Sequence, residues 1–121
     1  MHEDNQSSHD DNLDDIPASC EPTFRLAISA DYEAICVEPR FTLEQRIWLL
    51  VLWQALQDIK AGKQPHANRG VLAQTLRAVR WMWLTEKPKI GSFSWICDLL
   101  EIEPEPIKEW VRDIVEKIRK D

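Results

Sequence analysis

Lys108 and Arg112 stand four residues apart near the end of the chain, a spacing that stacks two cations on one face of a helix. Side chains placed this way can neutralise adjacent phosphates of an anionic polymer. A second supply of cations precedes them. Between residues 60 and 89, Lys60, Lys63, Arg69, Arg77, Arg80, Lys87 and Lys89 meet Glu86 as the sole acid. Of these, Arg69, Arg77, Arg80, Lys87 and Lys89 flank the last helices and could grip a backbone, which positions a partner without specifying it. The plain alternative is that they are solvated or paired with acids of the last helix. Trp81 falls on the same side as Arg77, where an exposed indole would stack or anchor an interface, unless it is half buried against a neighbouring helix. Trp48 and Trp53 are the other interface candidates.

Chemistry of other kinds has little to work with. His66 sits in a polar stretch with no nucleophile beside it, and His2 and His9 fall in the acidic start, so no Ser/His/Asp or Cys/His arrangement can be drawn. Glu101, Glu103 and Glu105 crowd the start of a helix and read as caps rather than as an acid/base pair. Cys20, Cys36 and Cys97 are odd in number and lack C-x-x-C or Cys/His spacing, which points to reduced thiols and to neither a disulfide framework nor zinc. With three Gly in the chain no phosphate-cradling loop can be built. A non-enzymatic protein with no cofactor and no metal is expected.

The elements that must carry the cations follow from periodicity and punctuation. The first 23 residues hold seven acids and no Lys or Arg, with Pro17 and Pro22 among them, and should form a disordered tail. That tail either solubilises the chain or competes with an anionic partner for the basic patch. Residues 24–121 carry fifteen cations against fourteen acids, so the charge of −6 belongs to the tail. Phe24 to Val37 marks no clean face and reads as a helix or a strand. Thr42 and Gln45 have capping-box spacing ahead of a helix from Leu43 to about Lys60, with Gly62 as its left-handed cap. That helix is apolar almost all round in its middle, as expected of a central helix or of one whose second face meets a partner, including another copy.

A helix from Arg69 to about Thr85 follows, with Leu72, Leu76, Val79 and Trp83 as its inward stripe. Ser92 caps a short helix, Phe93 to Leu100, and Ile102 to Pro106 breaks the chain. A last helix from about Glu105 to Arg119 should bury Ile107, Val111, Ile114 and Ile118, with Asp113/Lys117 and Glu116/Lys120 paired outside. The expectation is therefore an all-α, compact bundle of four or five helices in one domain, residues 24–121. No signal peptide is visible, and the longest apolar run, Ile47 to Trp53, is too short for a membrane, so a cytoplasmic protein is expected.

Ser92 to Arg112 has a more specific pattern. Where two helices cross steeply through a tight turn, a small residue is needed at the contact and apolar residues at the lock positions. Cys97 stands at the contact, Leu100 ends the first helix, Ile102 sits in the turn, and Ile107 and Trp110 lock the second helix. The segment resembles the helix-turn-helix class. More narrowly it resembles small uncharacterised bacterial proteins sharing Phe-Ser-Phe/Trp, Ile/Val-Cys and Leu-x-Ile/Leu-x-Pro, here F-S-W-I-C-D-L-L-E-I-E-P from Phe93 to Pro104. The resemblance covers about 20 residues and implies a DNA-binding unit. Two departures stand out: Glu101 replaces the usual turn glycine, which calls for a left-handed residue or another turn path, and Glu103, Glu105 and Glu109 open the presumed reading helix.

Taken together, the sequence points to a DNA-binding regulator of transcription, paired as a homodimer to match symmetric sites. Its rivals are an adaptor that binds another protein, or an acidic inhibitor of a DNA-binding protein.

Overall fold

In a computed structural model, residues 22–84 and 89–120 are described; residues 1–21, 85–88 and 121, with the acidic tail, Cys20 and Lys87, lie outside them. Six helices order the described residues: α1 (Pro22–Ser29), α2 (Tyr32–Cys36), α3 (Leu43–Gly62), α4 (Arg69–Leu84), α5 (Phe93–Leu100) and α6 (Pro104–Lys120). No strand occurs among them, and the fold is an all-α compact bundle.

The count exceeds expectation because the ambiguous stretch before Val37 is two helices. Asp31 takes an extended conformation, φ −89° and ψ 170°, and its carboxylate accepts from the Ala34 amide at 2.8 Å, which ends α1 and caps α2. The folded part also starts earlier than Phe24: Pro22 opens α1, where a missing amide costs nothing, and Thr23 is buried. Phe24 meets Trp110 edge to face at 6.2 Å, so α1 is tied to α6.

Thr42 nucleates α3 as a reciprocal box. Its hydroxyl accepts from the Gln45 amide at 3.1 Å, and the Gln45 side chain accepts from the Thr42 amide at 2.9 Å. Leu49, Leu52, Leu56 and Ile59 give α3 one fully buried face, and α3 contacts each of the other five helices. Its opposite face is not wrapped: Leu43, Ile47 and Val51 are exposed. Gly62 is the last helical residue of α3 rather than a left-handed cap, since Gly91 alone among the glycines has a positive φ. Its role is close approach. A Cβ at Gly62 would collide with the Thr75 hydroxyl and lie 2.9 Å from that residue's Cβ. Thr75 itself donates to the Asp58 carbonyl at 2.6 Å.

That crossing also turns α4 away from its expected face. Thr75, Ala78 and Met82 are buried; of the expected stripe Leu72 and Val79 are half buried, Val79 against the core, while Leu76 is 61% and Trp83 36% exposed. The large residues were expected inside. Small ones win because α3 and α4 pack too closely at Gly62 to admit a Leu.

In α6, Ile107, Trp110, Val111 and Ile114 are buried as the periodicity predicts, and Ile118 is half buried. The helix starts at Pro104, one residue before the expected Glu105, and both prolines sit in the first turn, where no intrahelical donor is required. On its wet side Glu116 meets Arg119 at 3.8 Å. Among the described residues no helix is long and apolar enough to cross a membrane.

Candidate nucleic-acid interface

The turn between α5 and α6 fixes where the cations of α6 stand. Ser92 caps α5 by accepting from the Trp95 amide at 3.2 Å, and α5 ends on Glu101, which is left-handed with φ 59° and ψ 44°. The Glu101 amide donates to the Asp98 carbonyl at 3.1 Å and the Ile102 amide to the Cys97 carbonyl at 2.9 Å. This double closure satisfies two otherwise orphaned helix-end carbonyls and reverses the chain within three residues. Ile102 and Cys97 are both buried. Glu101 takes the left-handed conformation that a glycine would supply.

Beyond this turn, Lys108 and Arg112 of α6 come up to Trp83 at the end of α4. The Lys108 ammonium lies 5.7 Å from the centre of the Trp83 ring and 6.0 Å from that of Phe93, and the Arg112 guanidinium lies 5.7 Å from Trp83. Cation–π attraction holds both charged groups near one partly exposed indole, which orders them before any ligand arrives. The result is a small cation–aromatic junction built from α4, α5 and α6.

No protein-family model, curated protein or solved structure matches this chain. The junction must be judged on its own chemistry.

The remaining expected contacts are dispersed. Arg69, Arg77 and Arg80 are exposed along α4, and Lys89 is exposed just before α5. Arg77 and Asp58 both line a groove between α3 and α4. Lys87 falls outside the described residues.

The tryptophans expected at an interface are engaged within the fold. Trp81 is half buried, meets Phe93 edge to face at 5.9 Å, and donates from its indole to the Gly91 carbonyl at 3.2 Å. Trp53 donates to the Ala30 carbonyl at 2.7 Å and meets Tyr32 at 6.2 Å. Trp48 meets Trp95 at 5.1 Å and lies under Gly91, whose φ of 88° needs a glycine. Trp81 thus takes the half-buried alternative, while Trp83, expected inside, is 36% exposed.

Trp83 is the residue that sequence reasoning missed at the junction. The signal available was the alternative stripe of Thr75, Ala78 and Met82, whose small members suit a close helix crossing. The outward face of α6 has the opposite sign to the junction: Glu105, Glu109, Asp113 and Glu116 are all exposed, as are Glu101 and Glu103 in and after the turn. Phosphates approaching that face directly would be repelled.

Proposed function

We propose that this chain is a small DNA-binding protein of the helix-turn-helix type, acting as a regulator of transcription. The observation that carries the reading is the junction, where α6 holds Lys108 and Arg112 on Trp83 directly after the tight turn from α5. In this reading the duplex lies along the flank of α6 that faces α4. Lys108 and Arg112 take successive phosphates, Arg80 and Lys89 add backbone contacts, and the acidic outward face stays in solvent.

The test is duplex binding by the full chain and by Lys108→Ala, Arg112→Ala and Trp83→Ala. Each of the first two should weaken binding by about fivefold to tenfold, the effect of one lost charged contact, with unchanged circular dichroism. Trp83→Ala should weaken it less, by releasing the two cations. Unchanged affinity in all three variants rules this surface out.

A second reading is favoured by the outward face of α6. Four carboxylates on one helix side suit the cationic surface of another protein, as an adaptor or an inhibitor of a DNA-binding protein would present. There, Glu105→Lys with Glu109→Lys would abolish partner binding, whereas in the DNA reading the same pair strengthens duplex affinity.

A further inference from the structure

The face of α3 that the fold leaves uncovered has two halves of opposite shape. Its first half is a ridge of Leu43, Ile47 and Val51, 71%, 51% and 38% exposed, at a spacing that aligns them along one side of the helix. Its second half falls into a groove of about 610 Å³ between α3 and α4. Val51, Ala55, Ala78 and Trp81 give that groove its apolar lining, and Asp58 and Arg77 its charged part. Val51 belongs to both halves. Large apolar side chains thus lie on one side of Val51 and a hollow lined in part by alanines on the other.

Charge is distributed the same way. Glu44 is exposed in the first turn of α3 on the side of the ridge, and Arg77 is exposed in the groove. Neither forms an ion pair with another described residue.

We infer that this face is the interface between two copies of the chain, related by a two-fold axis at Val51 with their α3 helices antiparallel. Ile47 precedes Val51 by four residues and Ala55 follows it by four, about 6 Å each way at 1.5 Å per residue. The axis therefore lays Ile47 of each copy on Ala55 of the other. The same operation carries Glu44 to the height of Asp58, where Arg77 of the other copy supplies the counter-charge. A surface that holds both a ridge and the hollow that receives it is what an isologous interface requires. A different protein would need to match just one half. Trp83, Lys108 and Arg112 lie on the other flank of α4, so the pairing leaves the junction open and does not rest on the DNA reading.

Sedimentation equilibrium of the full chain across a micromolar range tests this, with four variants. The native chain should approach twice its monomer mass. Ile47→Asp should raise the dissociation constant at least about tenfold while its circular dichroism and Tm match the native chain. Glu44→Arg and Arg77→Glu should each weaken the dimer, and the chain carrying both reversals should recover it, because the cation introduced in α3 of one copy would then meet the acid introduced in α4 of the other. A monomer at every concentration overturns the inference. So does a dimer indifferent to Ile47→Asp, or a double reversal no tighter than the single ones; those two results would put any self-association elsewhere on the molecule.

Discussion

Replacing Glu101 by glycine probes the turn on which the candidate site depends. An L-residue at φ 59° and ψ 44° carries a backbone penalty of about 1–2 kcal/mol. Glycine removes that penalty but loses about 0.5–1 kcal/mol through the greater freedom of its unfolded chain. Glu101 is exposed and its backbone amide bond to Asp98 is retained by any residue but proline, so no other contribution of that size enters. The net expectation for Glu101→Gly is a gain of about 0.5–1 kcal/mol, or a Tm higher by about 2–8 °C for a domain of this size. Glu101→Ala keeps the Cβ and its strain, and should leave Tm near that of the native chain. Thermal unfolding followed by far-ultraviolet circular dichroism, which reports helix content, measures both. If glycine lowers Tm, or matches alanine, the turn is not left-handed at Glu101 and the placement of Lys108 and Arg112 against Trp83 loses its support.

Three further outcomes follow from packing and charge. Cys97→Leu enlarges a side chain of α5 that is 1% exposed and should cost about 1–3 kcal/mol, read as a lower denaturant midpoint; a neutral result would contradict close packing around Cys97. Gly62→Ala gains about 1 kcal/mol of helix propensity yet drives a Cβ into Thr75, so it should still destabilise, and less so in a Thr75→Ala background, where the hydroxyl and methyl are gone; equal effects in both backgrounds would show that Thr75 is not the obstacle. Lys60 donates to the Ile28 carbonyl at 2.9 Å, and burial lowers its pKa below 10.5. The unfolded chain then holds that proton more tightly, so stability should rise as pH climbs through the lowered pKa towards 10.5. In Lys60→Met this alkaline rise should vanish while Tm at neutral pH changes little, because Gln57 still donates to Ile28 at 3.0 Å; a rise that persists in a pH series of melts would assign it to another group.

Local signals were the legible ones. Thr42 with Gln45 and Ser92 before an apolar run each specify a hydrogen-bonded cap, and both caps stand where the spacing puts them. The 3.6-residue stripe of α6 was equally clear, because Ile107, Val111 and Ile114 have no competing face. In α4 two stripes compete, and size alone favours the wrong one. What decides between them is a long-range fact, the contact of Gly62 with Thr75 across 13 residues of sequence, and no periodicity within α4 reports it. The pairing of Lys108 and Arg112 was readable from their spacing, but their joint partner Trp83 was not, since its exposure depends on that same rotation. Likewise the run of cations from Arg69 to Lys89 reads as one patch in sequence, without showing that Arg77 lines a groove beside α3. The all-round apolarity of α3 left a choice between a central helix and a two-faced one; the structure has both features, a hub on one side and an uncovered ridge on the other.

The central claim is that the α4–α6 junction binds duplex DNA through phosphate contacts, and its most direct test is the salt dependence of that binding. Fluorescence anisotropy of a labelled duplex titrated with the full chain, at a series of salt concentrations, gives the slope of log K against log salt. The account predicts measurable binding that weakens steeply with salt, and a slope shallower by about 2 per chain in the Lys108→Ala/Arg112→Ala double variant, one for each phosphate contact removed. Binding whose slope is the same in the double variant, or no binding at low salt by the native chain, would contradict it.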